Sequence, residues 1–236
     1  MIHDLWNVAC RGARGVAPAA LLLCAACSGP APARPAAGTA GTRTEVAPAA
    51  SVTVVALGDS LTAGLGLAPR EAYPALLDAR LRGAGYVVEV VNAGVSGDTT
   101  AGGLRRVDWA LDPAVRVMIV ALGGNDALRG LPVADMRRNL AAIIARAQSR
   151  QVTVILAGME APPNLGPEHT AAFRRVYLDL AVQYRVAFVP FLLAGVAGDP
   201  ALNQPDGIHP NAAGARKVAD LLWPHVEAAV RAAVPR

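Results

Sequence analysis

Ser60, Asp206 and His209 are the residues of this chain whose types and spacing could act together as a nucleophilic set. A serine hydroxyl is a weak nucleophile. It needs a base, a group that orients the base, and donors for the oxyanion that its attack creates. In Asp206-Gly207-Ile208-His209 a carboxylate stands three residues before a histidine, in a turn closed by Pro210. At that spacing the carboxylate can accept a hydrogen bond from Nδ1 and fix the tautomer, which leaves Nε2 free to take the serine proton. Gly97 offers a backbone N–H in a glycine-permitted turn, and Asn125 offers a side-chain amide. With the Ser60 N–H these make a set of three oxyanion donors. Each feature alone has a plainer meaning: Gly-Asp-Ser also reads as a turn and helix cap, and Asp-x-x-His as an incidental loop pair. Asp59, Asp98 and Asp126 read as hydrogen-bond acceptors that order the loops rather than as catalysts.

Alternating strand and helix patterns place these residues. Val52 to Leu57 is a β-branched run, too short for a helix, that stops at Gly58 and delivers Asp59-Ser60 to its carboxyl end. Helical spacing follows over 71–82, and a second strand over 86–91 leads into Asn92 to Thr99. A helix over 100–111 comes next, despite Gly102-Gly103, and then a strongly apolar strand over 115–122 that ends at Gly123-Gly124-Asn125-Asp126. Residues 133–150 carry Met136, Leu140, Ile143, Ile144 and Ala147 as one apolar stripe. Strands over 152–157 and 186–190 flank a helix over 168–184, and a last helix starts near Asn211. This order predicts an α/β fold in which right-handed crossovers build a five-stranded parallel sheet between helices, with ligands at the carboxyl ends of the strands. Trp109 and Trp223 fall on helices and are expected to pack in the core. His3, His169 and His225 lack ligand-like neighbours and read as surface or packing residues.

The 236 residues suit one domain with appendages, and a composition 53% hydrophobic and 17% charged fits a globular sheet covered on both faces. Lys217 is the only lysine, so the formal charge of +4 rests on arginines spread along the chain, without the clustered footprint of a nucleic-acid binder. Residues 1–27 read as a signal peptide: Arg11 and Arg14 precede a short apolar stretch too brief to span a bilayer. The small residues before Cys27 resemble a bacterial lipoprotein signal, in which Cys27 would be lipidated and tether the protein to a membrane beyond the cytoplasm, in the periplasm. Cys24 stands where that pattern has leucine, so an ordinary cleaved signal is the alternative. Residues 28–50, rich in Pro and Ala, read as a linker, and 51–236 as the folded domain. That domain holds no cysteine, which removes disulfides, structural zinc and a cysteine nucleophile from consideration there.

Other motifs fail. Ser60 lacks the Gly-x-Ser-x-Gly setting of the α/β-hydrolase elbow, Ser96 has Asp98 where the second glycine should stand, and no phosphate-binding glycine loop is complete. The four chemical segments together resemble the SGNH, or GDSL, hydrolase family, from Val52 to the last helix. Gly58-Asp59-Ser60-Leu61 matches its nucleophile block, Asn92 to Thr99 its second block with Gly97 at an oxyanion position, Gly123 to Asp126 its Gly-x-Asn-Asp block, and Asp206 with His209 its closing pair. The wording looks most like the branch of bacterial acyl-CoA thioesterase I, lysophospholipase and arylesterase. That resemblance implies a flavodoxin-like three-layer α/β/α sandwich, no cofactor or metal, and hydrolysis of acyl esters through an acyl-Ser60. In the resembling enzymes the region matching 158–167 borders the acyl pocket, which makes Met159, Pro162 and Leu165 the expected substrate-binding residues. Polysaccharide deacetylation by the same residues, or a non-catalytic lipoprotein module on the same fold, are the alternative expectations.

Overall fold

The computed structural model describes residues 51–234. The expected signal segment 1–27, with Cys27, and the linker 28–50 lie outside the described residues. Five strands form one parallel sheet: β1 (Val52–Gly58), β2 (Val88–Gly94), β3 (Val115–Ala121), β4 (Thr153–Ala157) and β5 (Ala187–Val189). They lie side by side in the order β2-β1-β3-β4-β5. Every residue of β1 is buried, as a central strand covered on both faces requires.

The helices are α1 (Ser60–Ala63), α2 (Tyr73–Gly83), α3 (Thr100–Ala110), α4 (Gly124–Leu128), α5 (Val133–Ser149), α6 (Pro167–Tyr184) and α7 (Ala212–Ala233). The chain runs from β1 out to β2 and then back across β1 to β3. Because both crossovers are right-handed, they fall on opposite sheet faces. α2 accordingly packs on α7, while α5 packs on both α3 and α6. The result is the flavodoxin-like three-layer sandwich, whose strand order reverses beside β1.

Several boundaries move from their expected places. The helix expected over 71–82 splits into a 3-10 turn, Pro69–Glu71, and α2, with an extended Ala72 between them. Pro74 fixes the start of α2, since proline lacks an N–H and is tolerated only in the first turn. Trp109 does not pack in the core: it is 75% exposed. α3 buries Gly102, Gly103, Val107 and Ala110, and Trp109 projects from the opposite side. Trp223 is only partly buried, with the Arg80 guanidinium 4.1 Å above its ring.

The register at the carboxyl edge positions the chemistry. Gly58 at the end of β1 pairs with Gly94 on one side and with Ala121 on the other. The loops that follow β1, β2 and β3 therefore leave the sheet at one level. The two glycines are set by space: a Cβ on Gly94 would lie 2.2 Å from the Ala63 nitrogen, and one on Gly58 would lie 1.9 Å from Thr62 Oγ1. α1 is thus seated directly against the end of β2.

Candidate active site

Ser60 opens α1 immediately after the end of β1. Asp59 caps that helix, its Oδ1 accepting the Leu61 N–H at 3.0 Å. His209 is delivered by the loop before α7, and its Nε2 lies 2.9 Å from Ser60 Oγ. On the other side of the ring, Nδ1 lies 2.7 Å from Asp206 Oδ2. The second oxygen of Asp206 accepts the backbone N–H groups of Ile208 and His209, each at 3.0 Å. Those two amides, ahead of the His209 side chain, hold the Asp206 carboxyl down at about 2. Asp206 is therefore an anion at every pH at which a histidine base works, and it presents an acceptor to Nδ1. The Asp206–His209–Ser60 relay read from the sequence is continuous.

The donors expected for an oxyanion also gather here. Gly97 adopts φ +82°, the left-handed conformation that glycine tolerates, and lines the same cavity as Ser60 and Asn125. Among the described residues neither the Ser60 N–H nor the Gly97 N–H has a protein acceptor, so both are free for a ligand. Asn125 Nδ2 donates to Asp59 Oδ2 at 3.2 Å, which orients the amide and leaves its second hydrogen for a ligand. Burial pushes the Asp59 carboxyl up to about 6, against the opposing hydrogen bonds from Leu61 and Asn125. Asp126 orders the next layer, accepting the Thr100 N–H at 2.8 Å and the Thr100 hydroxyl at 2.6 Å. Asp98 accepts the Arg106 Nε–H at 2.7 Å, so Asp59, Asp98 and Asp126 are all acceptors that hold loops.

A cavity of about 550 Å³ opens beside the relay. Its walls are largely apolar, with Leu61, Leu65, Leu128, Met159, Pro162, Pro163, Phe191 and Ile208 among the lining residues. Leu65, Leu128 and Ile208 are exposed at the rim. Met159 and Pro162 reach the cavity as expected, but Leu165 does not line it. The tight turn Pro163–Leu165 carries the chain away after Pro163, so Leu165 stands beside α6 instead. Sequence reasoning missed Leu128, Phe191 and Ile208 as wall residues. Only their place next to Asn125, after β5 and beside His209 could have marked them.

A relay on the carboxyl edge of a doubly wound sheet, with free donors beside it, defines a serine acyl hydrolase. Within that class the chain belongs to the GDSL-like lipase/acylhydrolase family, whose family model matches residues 56–217. It is 43% identical to the esterase TesA of Pseudomonas aeruginosa over 177 residues, 75% of this chain and 88% of that protein. It is 37% identical to thioesterase 1/protease 1/lysophospholipase L1 of Escherichia coli over 164 residues, 69% of this chain and 77% of that protein. A crystal structure of TesA matches the fold with a TM-score of 0.71 at 41% identity, covering 76% of this chain and 99% of that one. The chain is a carboxylic ester hydrolase of this family.

Proposed function

We propose that the chain hydrolyses esters of apolar acyl chains, lysophospholipids or small acyl esters, through a covalent acyl-Ser60. The observation that carries this reading is the unbroken Asp206–His209–Ser60 relay opening into an apolar cavity. His209 Nε2 takes the Ser60 proton as Oγ attacks the acyl carbon. The carbonyl oxygen becomes an oxyanion held by the Ser60 N–H, the Gly97 N–H and the Asn125 amide. When the tetrahedral intermediate collapses, the ester C–O bond breaks and the departing alkoxide takes the proton from Nε2. Water then gives its proton to Nε2 and attacks the acyl-enzyme. Collapse of the second intermediate frees the carboxylic acid and returns the proton to Ser60.

Met159 and Pro162, with the wall residues Leu128, Phe191 and Ile208, take the acyl chain. A thioester fits the same steps, as a side capacity. Among the described residues Phe191 is the one Phe, Tyr or Trp on the walls, and a sugar-binding site draws on several such platforms. That favours an acyl chain over a polysaccharide. Cys27 is the proposed site of lipidation, which would tether the domain to a membrane on the periplasmic side. Replacing Cys27 by Ala then moves the protein from the membrane to the soluble fraction, and unchanged partition refutes the tether.

The test of the activity is turnover of p-nitrophenyl esters from acetate to palmitate by the wild type and by Ser60→Ala. Turnover that depends on Ser60 and favours medium or long chains supports the reading. Full activity in Ser60→Ala removes Ser60 as nucleophile, and turnover confined to acetate favours a deacetylase. Absence of both turnover and fluorophosphonate labelling at Ser60 would identify a binding module.

A further inference from the structure

Arg106 lies in the middle of α3, with its side chain only 19% exposed. Its three donor nitrogens reach three different segments. Nη2 donates to the Gly58 carbonyl at 2.9 Å, Nη1 to the Ala93 carbonyl at 2.7 Å, and Nε to Asp98 Oδ2 at 2.7 Å. Gly58 stands two residues before Ser60, Ala93 near the end of β2, and Asp98 directly after Gly97. One side chain thereby joins the strand that carries the nucleophile to the loop that carries an oxyanion donor. A guanidinium is a rigid planar fork, so three bonds of this kind fix angles as well as distances.

The surrounding backbone completes the brace. The Gly58 carbonyl also accepts the Val95 N–H at 3.0 Å, and the Asp98 N–H donates to the Val95 carbonyl at 3.0 Å. α3 is shaped to fit the ion pair: a Cβ on Gly102 would lie 2.3 Å from Asp98 Oδ1. A glycine weakens a helix relative to alanine, and it stands here where Asp98 needs the space. Arg106 itself does not line the cavity. It cannot serve by touching an ester.

We propose that Arg106 is a positioning residue for the oxyanion hole: anchored on Gly58 and Ala93, it holds Asp98 and so sets the Gly97 N–H against Ser60. This rests on the serine-esterase reading above. The donor geometry that Arg106 holds matters when charge develops on the carbonyl oxygen and little when the neutral ester binds. Its loss therefore falls on kcat.

The test uses the full chain, with active-site concentration titrated by a fluorophosphonate, and compares the wild type with Arg106→Met, Arg106→Ala and Asp98→Asn. An alkyl boronic acid, which forms a tetrahedral adduct on Ser60, probes the oxyanion geometry, and the free fatty acid probes the ground-state cavity. Arg106→Met is expected to lose about 100-fold in kcat with KM held within about twofold. Boronate affinity falls in parallel, fatty-acid affinity does not, and the pH profile of kcat/KM keeps its shape. Millimolar guanidinium restores part of the activity of Arg106→Ala and none of Ser60→Ala. The proposal is overturned if kcat is unchanged, or if boronate and fatty-acid affinities fall together, which marks general collapse of the site. If the Arg106 variants do not fold, Asp98→Asn carries the same readouts, because it leaves both carbonyl bonds of Arg106 in place. Failure of the wild type to hydrolyse any ester would strike the esterase reading instead.

Discussion

At Ser60 the chemistry is set by what each partner has left over after its structural bonds are made. Asp206 gives one oxygen to two backbone amides and the other to His209 Nδ1. Replacing Asp206 by Asn leaves a shape that can keep the amide bonds but offers Nδ1 either a donor or a weaker acceptor. Such a change is expected to lower kcat by about 1,000-fold or more with the fold intact, read by turnover beside circular dichroism. Asn125 gives one amide hydrogen to Asp59, which leaves the other for the oxyanion in the proposed mechanism. Asn125→Ala should reduce kcat by about 100-fold or more and leave KM nearly unchanged. A rise in KM with kcat intact would instead assign Asn125 to ground-state binding.

The elements bring these residues together through close approach at the ends of the strands. β2 can lie against α1 because Gly94 has no side chain, and Asn92 Nδ2 then donates to the Thr62 carbonyl at 2.9 Å. Gly94→Ala would drive a methyl into the backbone of α1. The expected cost is about 1–3 kcal/mol of stability, measured by urea unfolding, together with a fall in kcat as Ser60 shifts. Loss of stability without loss of activity would show that α1 moves as a unit with His209. At the other end of the cavity, Met159 follows β4 and Phe191 follows β5. Phe191→Ala is expected to widen the apolar wall and move the preferred p-nitrophenyl ester toward longer acyl chains, and an unchanged chain-length profile would remove Phe191 from the acyl pocket.

For the whole molecule, the sheet order makes the edge beside β1 a crevice, and it also buries Asp59 there. An ordinary aspartate carboxyl titrates at 3.8, and in the fold this one is pushed up to about 6. Between those values the folded chain holds a proton that the unfolded chain has released. Stability is therefore greater below the window and falls as pH rises through it, by about 3 kcal/mol on the ordinary conversion of pKa shift to free energy. Asp59→Asn removes this term. Unfolding free energies of the two proteins, compared from pH 4 to pH 7, should diverge in favour of the variant as pH rises. Parallel curves would show that Asp59 does not titrate in that range.

The order of strands and helices was legible without a structure, and with it the parallel sheet and the edge at which ligands bind. Period and punctuation are local signals that survive without knowledge of partners. The sequence also marked Ser60, Gly97, Asn125, Asp206 and His209, because the required residue types stand at the ends of strands and in one short turn. Which side chains hold them became visible only once the chain was folded. Arg106 reads in the sequence as one arginine among many on a helix, and its role exists only because the ends of β1 and β2 come within reach of α3. Trp109 and Leu165 went the other way: a place on a helix suggested the core for Trp109 and the family resemblance suggested the acyl pocket for Leu165, while the facing of α3 and the short turn after Pro162 carried them elsewhere. Residue type limits what a position can do, but distance across the fold decides whether it does so, and that distance is set by packing between segments far apart in the chain.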